Sequence, residues 1–113
     1  MNIKRLEIWL AALDPTFGSE IQKTRPVLVV SNDKNNKHNS VVSILPITSN
    51  TAFVADFDVF ISKGTANLPK DSKAKADQIR TLDKQRLIKK IGKLPSSFSA
   101  EVKKALLLHL DLN

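Results

Sequence analysis

The sequence predicts a mainly β protein: a small, strongly bent β-barrel or half-barrel followed by one C-terminal helix, in a single domain spanning residues 1–113. Three observations carry that expectation. The length is close to the size at which domains cluster, about 100–150 residues, and is too short for a second independent core. Short apolar runs rich in β-branched residues alternate with polar loops as far as Pro95, and from Ser96 onward the apolar spacing changes to a period near 3.6. With 42% apolar and 26% charged residues, the composition disfavours wholesale disorder and collagen-like repeats.

Residues 7–13 read as the first strand, rich in apolar side chains and stopped by the turn-forming pair Asp14-Pro15. Residues 16–24 read as a loop. Residues 26–31 are continuously apolar and β-branched, which fits a strand buried on both faces whose proline takes the first position. Residues 32–40, with four asparagines and two lysines, read as a connecting loop. Residues 41–48 give a third strand in which Pro46 demands a bulge or an edge. From residue 53 to 61 the pattern alternates: Phe53, Ala55, Phe57, Val59 and Ile61 point one way, which predicts a half-buried fourth strand. Residues 64–75 read as loop, 76–80 as a short strand, 82–87 as a turn or single helical turn, and 88–94 as a last strand interrupted by Gly92. Phe98, Val102, Ala105, Leu106 and Leu110 then mark one face of a helix, with Ser96 or Ser97 as its cap. Leu107, Leu108 and Leu112 widen that face beyond what its own sheet needs.

Charge is distributed unevenly. Residues 1–62 carry six basic and six acidic side chains, whereas residues 63–113 carry twelve basic and five acidic, so the whole formal charge of +7 lies there. Such asymmetry suits a polyanionic partner or an acidic protein, and equally a solubilising lysine surface. The absence of cysteine removes disulfides, thiolate catalysis and cysteine-based metal sites, and makes a cytoplasmic protein the simplest fit. No export signal or membrane segment is expected, because Lys4, Arg5 and Glu7 interrupt the first apolar run and no stretch approaches the roughly 20 apolar residues a bilayer requires.

Few constellations carry chemistry. His38 and His109 do not form a metal-spaced pair, Gly18, Gly64 and Gly92 are isolated, and no serine sits in a nucleophile elbow, so neither metal nor cofactor is expected. Three polar clusters remain. In the first, Gly18-Ser19-Glu20-Ile21-Gln22-Lys23-Thr24-Arg25-Pro26, Arg25 precedes a proline and is held extended, presenting a planar fork of donors suited to a phosphate or a pentacoordinate phosphorus. The alternative is an ion pair of Arg25 with Asp14 or Glu20. The second, Thr48-Ser49-Asn50, ends the third strand beside the second and can meet Arg25, or can serve ordinary turn chemistry. In the third, Asp77-Gln78-Ile79-Arg80-Thr81, Gln78 and Arg80 can bond base edges, unless Asp77 simply bridges to Arg80. RNA supplies its own nucleophile, the 2′-hydroxyl, so an arginine, a hydroxyl and a carboxylate suffice to cleave it without a metal.

These clusters and their order resemble the MazF/PemK family, the toxin half of bacterial toxin–antitoxin pairs. The resemblance covers nearly the full chain: Glu7-Ile8-Trp9-Leu10-Ala11, Leu13-Asp14-Pro15, Gly18-Ser19-Glu20, Lys23-Thr24-Arg25-Pro26-Val27-Leu28-Val29, Pro46-Ile47-Thr48-Ser49 and Asp77-Gln78-Ile79-Arg80-Thr81-Leu82-Asp83. It implies an SH3-like barrel, a homodimer, a cognate acidic antitoxin, and metal-independent cleavage of single-stranded RNA to a cyclic phosphate and a 5′-hydroxyl. On this resemblance Arg25 stabilises the transition state and Thr48 binds the scissile phosphate. Ser19, Glu20, Asp77 and Gln78 match positions that place RNA, joined in their clusters by Lys23, Ser49 and Arg80; Glu20 is the leading candidate for the general base, with Asp77 second. Phe17 is placed either to stack on a base or to anchor its loop. The chain departs from the family where Leu6-Glu7 replaces the usual Gly-Asp and Gln22 replaces a glycine. Two other readings compete: an SH3-like module that holds RNA or an antitoxin-like peptide without cutting, and a bare structural domain.

Overall fold

The computed structural model describes residues 1–13 and 24–112. In chain order these contain β1 (Glu7–Ala12), β2 (Thr24–Val29), α1 (Asp33–His38), β3 (Val41–Thr48), β4 (Asp58–Ile61), β5 (Ser72–Lys75), β6 (Arg80–Asp83), β7 (Leu87–Lys93) and α2 (Phe98–Leu110). Short 3-10 turns lie at Thr65–Asn67, Ala76–Gln78 and Lys84–Arg86. All strand pairs are antiparallel, in the order β4-β5-β3-β2-β1-β7, with β6 also on β3. The sheet stays open, a half-barrel of the expected mainly β class. Among the described residues no helix is long and apolar enough to cross a membrane.

The bend is set by β3 around Pro46 and by Pro26 of the neighbouring β2. Ile44 faces Arg80 of β6 and Ile47 faces Ala74 of β5, so Leu45 and Pro46 confront residues 75–79, and the surplus is extruded as the turn Ala76–Gln78. This is the irregularity that Pro46 demands. The Val30 N–H donates to the Ser43 carbonyl at 2.9 Å, and antiparallel bonding alternates from there. By that alternation the donor that Pro46 lacks would point at the extrusion, away from β2, so its loss costs the β2–β3 ladder nothing. Pro26, in contrast, lacks a donor that would point at β3. The ladder accordingly ends at Val27 opposite Pro46, and the two strands part beyond it. The second strand begins two residues earlier than expected, so its proline is third rather than first.

Both faces of the sheet are buried near β2, where Val27, Leu28 and Val29 are fully enclosed. One core joins Ile8, Leu28, Leu45, Ile47, Val59, Ile61 and Ala74 to Val102 and Ala105 of α2. The other, on the opposite face, joins Trp9, Ala11, Val27, Val29, Val42, Ile44, Leu82 and Leu87. Buried Glu7 ties the strand entrance together: it accepts from the Lys4 backbone N–H at 2.8 Å and the Trp9 indole at 3.0 Å, and meets Lys90 Nζ at 2.9 Å. Burial alone would raise its pKa, but these bonds, with that from Lys90 foremost, outweigh it and hold the carboxyl below its ordinary value.

Several local expectations are corrected. Residues 32–40 are not only a loop: Asn32 caps α1 by accepting from the Asn35 N–H at 2.8 Å, and buried Asn36 donates to the Ser31 carbonyl at 2.9 Å. The fourth strand is only four residues long, because Asp58 turns the chain back on itself, its carboxylate accepting from the Ala55 N–H. Phe53 is therefore 73% exposed instead of sharing a face with Val59 and Ile61. Between residues 72 and 86, strand and turn are exchanged: 72–75 and 80–83 pair with β3, while 76–78 and 84–86 are turns. The last strand continues through Gly92, but its pairing with β1 shifts register beside it, between the pairs Ile8–Gly92 and Trp9–Lys90. Ser97 makes no side-chain cap, since its own backbone is helical; the Phe98 and Ser99 N–H groups bond the Pro95 and Ser96 carbonyls instead.

Candidate functional site

Where β2 and β3 part, a cleft of about 510 Å³ opens, lined by Thr24, Arg25, Pro26, Ile47, Thr48, Ser49, Leu68, Pro69, Lys70 and Ser72. Extending the β2–β3 register two residues beyond its last pair sets Arg25 across from Thr48, with both side chains on the same face of the sheet. Arg25 is half-buried and extended, as the following proline requires, and makes no ion pair with a described residue. Thr48 Oγ1 accepts from the Asn50 backbone N–H at 3.2 Å, an interaction that uses an oxygen lone pair and not the hydroxyl hydrogen. Arg25 and Lys70 make the lining cationic, and none of these ten residues is acidic.

Arg25, Thr48 and Ser49 thus converge. The third polar cluster does not line this cleft: Asp77 and Gln78 are exposed on the extruded turn, and Arg80 is half-buried opposite Ile44. Asp77 pairs with Lys75 at 3.7 Å. Phe17, Ser19, Glu20 and Lys23, together with Asp14 and Gln22, lie outside the described residues. Leu68, Pro69, Lys70 and Ser72 were not marked by any local pattern. They reach the cleft because β5 pairs with the last two residues of β3, a long-range consequence of the extrusion. His38 and His109 are exposed, the latter against Phe57 with ring centroids 5.8 Å apart.

Over residues 4–110 the chain matches the family model for the PemK-like, MazF-like toxin of type II toxin-antitoxin systems. The chain belongs to this toxin family. Endoribonuclease MazF9 of Mycobacterium tuberculosis is 43% identical to the toxin over 115 residues, covering 97% of the toxin and 98% of the relative. The solved structure of the Mycobacterium tuberculosis toxin MazF-mt6 matches with a TM-score of 0.81 and 25% identity, over 95% of the toxin and 98% of that chain. A chain of the Deinococcus radiodurans MazE-MazF crystal structure (Form-I) matches with a TM-score of 0.66 and 27% identity, over 78% of the toxin and 83% of that chain.

The toxin's departure from the family's usual Gly-Asp is explained at Leu6. This residue has φ of 71°, the left-handed region that a glycine enters without strain, and it bonds both the Val29 carbonyl and the Leu94 N–H through its backbone. A leucine there stores roughly 1–2 kcal/mol of backbone strain and offsets it by burying its side chain in the helix-side core. We expect Leu6→Gly to be less destabilising than Leu6→Ala by about 1 kcal/mol, the reverse of the usual order for these residues. Urea melts of the two variants check this; an alanine variant as stable as the glycine one, or more so, contradicts it.

Proposed function

We propose that the toxin is a cytoplasmic, metal-independent endoribonuclease that cuts single-stranded RNA at short sequence motifs. The observation that carries this reading is the opening of Arg25 and Thr48, from separate strands, into one cationic cleft. In the proposed reaction the RNA 2′-hydroxyl attacks the adjacent phosphorus, the new O2′–P bond forms as the P–O5′ bond breaks, and the products are a 2′,3′-cyclic phosphate and a 5′-hydroxyl. The 2′-hydroxyl proton passes to a general base and the departing O5′ receives one. Arg25 stabilises the charge on the five-coordinate phosphorus through its fork of donors and assists proton transfer, while Thr48 donates to a non-bridging oxygen. Glu20 is the proposed base; Asp77, away from the cleft and paired with Lys75, suits that role less. Ser49 lies in the cleft to meet the backbone beside the cut. Phe17, Ser19, Lys23, Asp77, Gln78 and Arg80 are proposed to place flanking nucleotides.

A cognate acidic antitoxin competing for the same groove fits the +7 charge and the MazE-MazF assembly of the Deinococcus relative. A homodimer is supported by the exposed Leu108, Leu110 and Leu112 at the end of α2. Incubation with a mixed pool of long RNAs in excess EDTA, followed by sequencing of fragment 5′ ends, tests the activity: discrete cuts leaving 5′-hydroxyls are expected. Retention of RNA without cutting would instead establish the silent binding module.

The basic residues do not contribute alike to this reading. Lys73, Lys75 and Lys90 are engaged with Asp58, Asp77 and Glu7, and Lys103 and Lys104 line a separate groove on α2, whereas Lys70 faces the cleft. Lys70→Ala is expected to reduce the magnitude of the slope of log affinity against log salt by about 0.7, the share of one phosphate contact on a single strand. The Lys103→Ala/Lys104→Ala pair is expected to leave that slope unchanged. Titrations of RNA binding across salt concentrations would contradict the assignment if the helix pair moved the slope and Lys70 did not.

A further inference from the structure

The proposed phosphate site continues across the sheet. Thr48 is paired on its other side with Lys73 of β5, and Lys73 in turn with Phe60 of β4. Directly paired residues project to the same face, so Arg25, Thr48, Lys73 and Phe60 form one row across four strands, each step about 4.8 Å. The parity agrees with burial: Val59 and Ile61, on either side of Phe60, enter the helix-side core, while Phe60 faces away from it and is 43% exposed.

The ground beneath this aromatic is unusually fixed for a sheet end. The Lys73 side chain is only 10% exposed; its ammonium donates to the Phe53 carbonyl and lies 3.6 Å from Asp58 Oδ2, which also accepts from the Ala55 N–H. Lys73 is therefore committed to holding the segment after Thr48 in place and is not a free phosphate ligand. A buried lysine and aspartate are costly to desolvate. Here they lock the segment that joins the catalytic threonine to the strand bearing Phe60, so the ring is presented at a set distance from the proposed reacting phosphate.

Resting on the endoribonuclease reading, we infer that Phe60 is a base-stacking residue, receiving a nucleobase that flanks the scissile phosphate on the row Arg25, Thr48, Lys73, Phe60. A π-face accepts any base, so Phe60 supplies binding energy at that position, and pockets elsewhere supply the choice of base. Stacking formed equally in the ground and transition states lowers KM and leaves kcat alone.

The test uses the whole toxin and an oligonucleotide that it cuts, together with a set in which one nucleotide at a time around the cut is abasic. Phe60→Leu keeps an apolar side chain on the strand but removes the π-face; Phe60→Tyr restores it. On intact RNA, Phe60→Leu is expected to raise KM on the order of 10-fold with kcat unchanged, and Phe60→Tyr to return it to the wild-type value. With the abasic residue at one flanking position, wild type and Phe60→Leu should have the same KM, the signature of two changes acting on one contact. A KM unmoved by Phe60→Leu, or raised equally on every abasic substrate, overturns the inference while leaving the endoribonuclease reading intact. A variant that alters self-association and not RNA KM assigns this face to protein contact and overturns it too. Wild-type toxin that cuts no RNA fails the parent reading instead, and the subsite with it.

Discussion

Arg25→Ala is expected to lower the cleavage rate by about 10²–10³ while leaving RNA affinity within a few-fold, because a donor aimed at developing charge acts mainly in the transition state. The position argues for this. Arg25 is held extended by Pro26 at the end of a pairing ladder, half-buried, without an ion pair to any described residue, and in the same cleft as the Thr48 hydroxyl. Lys70 and Ser49 also line the cleft and are expected to go on holding the RNA backbone in the variant. Arg25→Lys should recover only a small part of the rate, since a point charge cannot reproduce a planar fork that binds two oxygens at once. Single-turnover cleavage and equilibrium binding, measured on the same RNA, check both statements. Equal losses in rate and affinity would reduce Arg25 to a binding residue.

The largest stability effect is expected at Gly92. A Cβ built there would lie 2.3 Å from the Ala66 carbonyl oxygen and 2.7 Å from its carbon, both backbone atoms that no side-chain rotation can move aside. Ala66 belongs to the turn Thr65–Asn67, in the left-handed region at φ 51°, and Asn67 clasps β7 by donating to the Ile91 carbonyl at 3.0 Å. The next residues, Leu68, Pro69 and Lys70, run into the cleft. Gly92→Ala is expected to cost about 3 kcal/mol, the upper part of the range for forced overpacking, and to weaken RNA binding by displacing Lys70. Gly64 offers an internal comparison: it has a φ of 89° and open space around it, so Gly64→Ala suffers only left-handed strain, roughly 1–2 kcal/mol. Chemical denaturation of the two variants should rank Gly92→Ala clearly below Gly64→Ala. Equal stabilities would mean that the turn yields freely to β7.

What the sequence makes legible follows from how local each signal is. The first three strands and the terminal helix are visible because their apolar periods are long and consistent, as in Val27-Leu28-Val29 and the spacing of Val102 and Ala105. The same is true of Arg25 and Thr48, whose positions at strand ends are readable from the adjoining Pro26 and Pro46. Residues 72–86 are not legible locally, because Ser72-Lys73-Ala74-Lys75 has no apolar alternation of its own; it becomes a strand only by pairing with β3 and β4. Phe53 shows the opposite case, since the local alternation that suggests a strand is overridden by the Asp58 turn. Lys70 carries no local mark at all, and enters the cleft through the register of β5. Leu6 shows why substituting a family glycine is not always a loss of geometry: the left-handed backbone is kept and the added side chain is buried.

Arg25 and Thr48 are proposed to act on the same phosphodiester, and a double-mutant cycle measures that most directly. Single-turnover cleavage constants are needed for wild type, Arg25→Ala, Thr48→Ala and the double variant on one RNA. If the two groups act together on one reacting phosphate, the double variant will be nearly as active as the slower single variant, far from the product of the two losses. Losses that multiply would place the two side chains in independent roles and contradict the shared site.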